Sequence, residues 1–148
     1  MRRRRLNIAL LALLSTGCLA TEPAFPGILK GEWGSDQGSL DADSSQVNAA
    51  FMCTTVSVPG PVSFDADRSF DVRGIETSEF GPIRFPPDTQ PVEMLGTLRA
   101  REDPLTLDLT LWMIDSTGGR TGTPITMTVQ QGVMGKTYAC PAEFGVGR

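Results

Sequence analysis

Apolar and polar residues alternate along most of the chain from residue 28 onward. The clearest case is residues 105–113, where leucine or methionine takes every second position and mostly polar residues lie between. Successive side chains of a β-strand point to opposite faces, so this pattern predicts a strand with one buried face. Residues 47–53 alternate in the same way and place Cys53 on the apolar face. We expect β-structure throughout, because no segment has a convincing helical period.

Clusters of Gly, Pro, Asp and Ser divide this pattern at intervals of roughly ten residues, as in a meander of short strands. Residues 62–72 predict a β-hairpin around the polar turn 65–69, and residues 40–47 repeat its shape. The other predicted strands are residues 92–100, residues 125–129 and a short last strand with Tyr138 and Cys140.

Together these elements predict an all-β fold of about eight antiparallel strands in one domain, residues 28–148. Eight strands can close into a small up-and-down barrel whose interior is filled by side chains or holds one small ligand. Closure also removes the exposed sheet edges that promote aggregation. The barrel is the preferred architecture, and a two-sheet β-sandwich is the alternative.

Two predicted loops differ in character. Residues 116–124 contain three glycines, which tolerate positive φ. Residues 80–91 form the longest irregular stretch and contain four prolines and two phenylalanines. Loops of this length often bind ligands, so Arg84 and Phe85 are candidate ligand contacts. The alternative is a rigid connector whose phenylalanines pack back against the barrel.

The N-terminal residues have the form of a bacterial export signal. Residues 2–5 are four arginines, residues 6–14 are largely apolar, and small residues precede Cys18. The apolar run is too short to span a bilayer. We expect residues 1–17 to be a signal peptide for the general secretory route, and residues 18–27 to be the N-terminus and tether of the mature protein.

Residues 14–18, Leu-Ser-Thr-Gly-Cys, resemble the lipobox of bacterial lipoproteins. The resemblance implies lipid attachment at Cys18 and, through Leu19, an outer-membrane location if the host has one. Several acyl chains would anchor the protein firmly, since each buried methylene contributes about 0.8 kcal/mol. The alternative is signal-peptidase cleavage after Ala20, which would give a soluble periplasmic or secreted protein.

The mature protein is expected to be acidic. Loss of residues 1–17 would reduce 13 basic residues to 9 against 17 acidic residues, which changes the formal charge from −4 to −8. The remaining basic residues are scattered, so no basic patch is available to neutralise phosphates. Nucleic acid is therefore not an expected partner.

Cys53 and Cys140 remain as an even pair once Cys18 is assigned to lipid. In an oxidising compartment such a pair predicts a disulfide. A bridge that closes so long a loop contributes roughly 4 to 5 kcal/mol in the chain-entropy model. The alternative is two free buried thiols.

Five segments resemble, in order and spacing, a group of small exported bacterial proteins without an assigned activity. They are Gly-Glu-Trp-Gly at 31–34, Phe-Met-Cys at 51–53, residues 64–74, Gly-Pro at 81–82 and Lys-Thr-Tyr-Ala-Cys at 136–140. The resemblance implies one all-β domain and the disulfide. Where members often carry histidine, this chain has Asp36-Gln37 and Thr54-Thr55, so a role that depends on histidine is not expected.

Residues 31–33 are also similar to the G-x-W motif in the first strand of lipocalins. In that family the tryptophan closes the barrel floor beneath a basic residue from the last strand. The similarity implies Trp33 at the barrel base, Lys136 in the last strand above it, and carriage of a small apolar ligand. The alternative is a buried tryptophan with a purely structural role.

The chain has no histidine, which excludes Ser-His-Asp and Cys-His catalysis and imidazole zinc sites. It also lacks the S-x-x-K spacing of a Ser-Lys dyad. The aspartate turns at residues 41–43 and 65–71 are the only candidates for calcium, and we expect their side chains to bond the local backbone instead. No catalytic residue, metal or cofactor is predicted.

These observations predict a non-enzymatic, membrane-anchored envelope protein that acts as a binding or structural module. The alternative is a lipocalin-like carrier of a small apolar ligand in the barrel. The expected partners are a bacterial membrane and either a protein or a small apolar ligand. The sequence identifies neither ligand nor protein partner.

Overall fold

A closed antiparallel β-barrel accounts for all regular structure in the computed structural model, which describes residues 27–51, 54–78, 88–99 and 102–136. Each strand pairs with the next along the chain, and β8 pairs with β1. The strands are β1 (Gly31–Gly34), β2 (Gly38–Ala42), β3 (Gln46–Phe51), β4 (Thr54–Pro59), β5 (Ser69–Ser78), β6 (Asp88–Leu98), β7 (Thr106–Ile114) and β8 (Arg120–Gln131). The predicted all-β barrel is confirmed, and the sandwich is not.

Successive strands run in opposite directions along the barrel. β1, β3, β5 and β7 end at one end, which we call the upper end. β2, β4 and β6 end at the lower end, where the chain enters β1. The hairpin predicted over residues 40–47 is confirmed as β2–β3, with Ala42 opposite Val47.

Inward-facing residues from all eight strands form one core. On β7, Leu107, Leu109 and Leu111 are buried, and the alternation that predicted this strand is confirmed. Leu109 lies opposite Met127 on β8, so the two side chains share the inner face. Fully burying a side chain of this size contributes about 1.5 to 3 kcal/mol.

The lower end is covered by a pairing that joins distant parts of the sequence. Residues 27–29 pair with residues 62–64 through two backbone hydrogen bonds, and Leu29 and Val62 are buried there. The polar turn predicted at residues 65–69 forms, with the Asp65 N–H donating to the carbonyl oxygen of Ser69 at 2.7 Å. The predicted pairing of its two arms is wrong, because the first arm pairs with residues 27–29 and the second with β6. A local alternation of apolar residues marks extended chain, but it does not determine which other segment that chain pairs with.

Two strands begin earlier than predicted. β6 starts at Asp88 and includes Pro91, which pairs with Ile75. Proline is tolerated there because its φ is compatible with an extended chain at a position that donates no ladder hydrogen bond. β8 starts at Arg120, and Gly122 adopts a φ of 73° beside the register shift in the β7–β8 pairing. β4 was not predicted individually.

One glycine makes room for an aromatic ring inside the barrel. Phe70 on β5 is buried and lies edge-on to Phe64, with ring centroids 5.6 Å apart. Its partner on β6 is Gly96, where a Cβ atom would overlap the Phe70 ring. The inner face of β6 therefore needs a residue without a side chain at this position.

Gly96→Ala should lower the free energy of unfolding by about 1 to 3 kcal/mol, because the added methyl group overpacks the core against Phe70. Urea denaturation measures the change. Gly27→Ala is the matched control, since its Cβ would enter open space, and it should stay within about 0.5 kcal/mol of wild type. Equal stability of the two variants would contradict this packing.

Candidate functional site

Glu76 is a charged residue on the inner face of the barrel, and only 3% of it is exposed. Strand alternation from residues 70–74 carries its side chain inward. Its Oε1 atom accepts hydrogen bonds from the hydroxyls of Thr54 (3.1 Å) and Ser78 (3.0 Å). Its Oε2 atom accepts one from the side-chain amide of Gln90 (2.6 Å). Donors from β4, β5 and β6 thus converge on one carboxyl group.

All three donors to Glu76 are neutral. Within the described ranges no lysine or arginine forms an ion pair with it, and Thr106 is the other buried polar residue. Burying a carboxylate is costly unless it is hydrogen-bonded, and each bond to a charged group contributes roughly 1.5 to 3 kcal/mol. Within the described residues, the arrangement places a carboxyl group inside an otherwise apolar barrel and surrounds it with neutral hydrogen-bond donors.

The wall beside Glu76 is apolar and becomes more accessible toward the upper end. Val92 pairs with Met113, and Leu111 pairs with Ile125, so all four share the inner face. Val92 and Leu111 are buried, Met113 is half-buried, and Ile125 is 37% exposed. The upper end therefore combines a carboxylate with partly exposed aliphatic side chains.

Glu76 is not among the site residues that the sequence predicted, and those residues lie elsewhere in the chain. The strand predicted around Phe70 ends at Val72, and two more steps of the same alternation lead to Glu76. The predicted lipid, disulfide and loop residues all lie outside the described residues, and they are Cys18, Cys53, Cys140, Arg84 and Phe85. Their roles stay predictions.

Three aspartates in turns share one hydrogen-bonding arrangement. Each accepts, at Oδ1, bonds from the backbone N–H and the hydroxyl of the residue two positions later, at 2.6 to 3.1 Å. These hydroxyl bonds lower the pKa of each aspartate. The pairs are Asp43–Ser45, Asp67–Ser69 and Asp115–Thr117. The interpretation of the first two as backbone-bonding turns is confirmed.

In the described ranges, no group of three or more His, Cys, Asp or Glu residues is placed to hold a metal ion. Nor does that part of the chain contain a helix long and apolar enough to cross a membrane.

A bidentate ion pair lies on the outer face near the lower end. Arg99 donates from Nε and Nη2 to the two carboxylate oxygens of Asp108, at 2.7 and 2.8 Å. The hydroxyl of Thr128 donates to the same carboxylate at 2.7 Å. The Arg99 bond is the main reason that the pKa of Asp108 lies below its ordinary value. Both charged side chains are nearly half exposed, so solvent screens the pair.

A second charged cluster lies on the outer face of β5 to β8. Arg120 pairs closely with Glu93, lies 3.6 Å from Asp71, and stacks over Trp112 at 5.9 Å from the ring centroid. Burial, followed by the nearby charge of Glu93, raises the pKa of Asp71. These contacts link four strands on the outside of the barrel.

Trp33 is buried on β1, as the sequence predicted, and its indole N–H donates to the carbonyl oxygen of Lys30 at 3.1 Å. The placement of Lys136 in the last strand is wrong for the described residues. Lys136 lies after β8, outside any strand, and is exposed. Gly132 directly follows Gln131 and adopts a φ of 72°, which lets the chain leave the sheet before Lys136 is reached.

The segment after β8, residues 132–136, crosses the outer face of β1, and we call it the strap. Its two ends donate backbone hydrogen bonds to the carbonyl oxygens of Glu32 (2.8 Å) and Ser35 (2.9 Å). Gly34 lies beneath it, and a Cβ there would overlap the strap backbone. A groove of about 330 Å³ remains between the strap, β1 and β2, where Glu32 faces Asp41.

Comparison of the chain with models of protein families, with curated proteins and with solved structures found no match.

Glu76→Leu should lower the free energy of unfolding by about 1 to 3 kcal/mol, because the half-buried hydroxyls of Thr54 and Ser78 and the amide of Gln90 lose their buried acceptor. Urea denaturation followed by circular dichroism measures this change. Glu32→Leu makes the same substitution on the exposed outer face and should stay within about 0.5 kcal/mol of wild type. If both variants lose equal stability, the buried network is not stabilising.

The Arg99–Asp108 pair should stabilise the fold only while Asp108 is ionised. Its pKa is lowered in the folded protein, so the contribution is present above the unfolded value of about 3.9 and is lost as pH falls through the folded pKa. A double-mutant cycle with Arg99→Gln and Asp108→Asn should give a coupling energy of about 0.2 to 1 kcal/mol at neutral pH. A coupling energy that persists unchanged in strong acid would contradict this.

Proposed function

We propose that the protein is a non-enzymatic, exported envelope protein, lipid-anchored at Cys18, that acts as a binding or structural module. The observation that carries the proposal is the combination of an export-type leader with a small closed barrel. The leader would direct the protein to export. The barrel is a closed sheet, so its paired strands leave no open sheet edge.

The packing of the interior favours a binding or structural module and disfavours a carrier with a large central cavity. Five side chains that would have to leave space for a central ligand are all buried in one core cluster. They are Phe51, Phe64, Leu107, Leu109 and Met127. A lipocalin-like carrier is the second candidate, and the partly exposed apolar wall at the upper end favours it.

The chemistry of the chain supports a non-enzymatic role. It has no histidine, and its two lysines, Lys30 and Lys136, are both exposed. The hydroxyls of Thr54 and Ser78 donate to the carboxylate of Glu76. A serine or threonine nucleophile is typically activated by a histidine or an amine, and the chain has no histidine.

The path of the strap supports a disulfide between Cys53 and Cys140. Gly135 in the strap packs against Gly38 on β2, and Gly38 pairs with Phe51 on β3, two residues before Cys53. The distance from β1, which the strap crosses, to β3 is two strand spacings, or roughly 10 Å. The five residues from Gly135 to Cys140 can span up to about 17 Å. The strap also runs from β8 toward β2, which is the direction that such a bridge requires.

Intact mass spectrometry of the protein purified from membranes of its own host tests the anchor and the bridge together. We expect a chain that begins at Cys18, carries acyl chains and shows no reaction with a thiol alkylating agent until it is reduced. Cys18→Ser is the control and should yield an unacylated protein. An unmodified chain beginning at Thr21 would contradict the anchor, and two freely alkylated thiols would contradict the bridge.

A further inference from the structure

We infer that the upper end of the barrel binds a primary ammonium group carried on an aliphatic chain, with Glu76 as its counter-ion. The inference rests on the proposed role as a binding module and specifies its ligand class. It depends only on described residues of β4 to β8.

The charge at Glu76 selects a cation. Its three hydrogen-bond donors are neutral, and the described residues supply no ion pair to it. Asp88 lies two residues before Gln90 on the same face of β6 and adds a second negative charge at the entrance. Negative charge at the mouth of a low-dielectric interior attracts a positively charged ligand.

The hydrogen bonds indicate where the cation would attach. Oε1 already accepts from Thr54 and Ser78, which are both half-buried, whereas among the described residues Oε2 accepts from Gln90 alone. Gln90 is the exposed member of the set, so its amide is the donor that an incoming ligand can replace. An ammonium group offers three donors and a full charge, and charge-assisted bonds are roughly twice as strong as neutral ones.

The surroundings select an organic cation with an apolar body. Ca²⁺ takes six or more oxygen ligands, and the described residues place no group of three acidic or metal-binding side chains together. Met113 and Ile125 instead present partly exposed aliphatic surface on the same inner face. Met113 lies two strands from Glu76, roughly 10 Å away, which a short alkyl chain can span.

Titration of the full mature protein with octylammonium, octanol and octanoate tests the inference by isothermal calorimetry. Octylammonium should bind at least about tenfold more tightly than either of the other two, because only it pairs with the carboxylate. In ¹⁵N-labelled protein, octylammonium should also shift the side-chain amide signal of Gln90. Binding of octylammonium no tighter than that of octanol would overturn the inference.

Substitutions in the protein distinguish the contribution of the ligand's ammonium group to binding from that of its alkyl chain. Glu76→Gln should weaken octylammonium binding about tenfold and remove its advantage over octanol, while Glu32→Gln, on the outer face, should leave binding unchanged. Ile125→Ala, at a partly exposed position, should weaken octylammonium and octanol alike. Wild-type affinity in folded Glu76→Gln would overturn the inference. Such a failure leaves the mass measurement of the anchor unaffected, so the two proposals fail independently.

Discussion

The barrel depends on closure between its first and last strands. β1 and β8 pair at only two positions, whereas β5 and β6 pair at ten. The short seam is covered on the outside by the strap, whose hydrogen bonds hold it across β1. On the inside, the buried ring of Trp33 fills the space behind the same strand. Closure of a complete sheet thus depends on a few contacts concentrated around the shortest strand.

The unequal lengths of the strands determine where the candidate site lies. β1 to β4 have four to six residues each, while β5 to β8 have nine to twelve. The long strands continue past the packed core at the upper end, and their inner faces become accessible there. Met113 and Ile125 lie on this extension, close to the level at which Glu76 replaces an apolar residue. The core and the candidate site are therefore successive parts of the same inner face.

Alternation in the sequence predicted the strands that have one uniformly apolar face. Residues 105–113 are recognisable because leucine or methionine fills each inward position of β7. Glu76 was not found, because a carboxylate at an inward position breaks the signal by which the strand is recognised. The pairing of residues 62–64 with residues 27–29 was also beyond local analysis, since alternation says nothing about partners more than thirty residues away. Surface ion pairs such as Arg120 with Glu93 depend on strand register and could be assigned only once the register was known.

The chain enters the barrel from its lower end, at Gly27, while Glu76 lies near the opposite rim. A lipid on Cys18 would hold the lower end toward the bilayer and direct the rim with Glu76 away from it. The accessible wall would then face the aqueous space beyond the headgroups, where soluble molecules diffuse, and not the lipid surface to which the protein is attached.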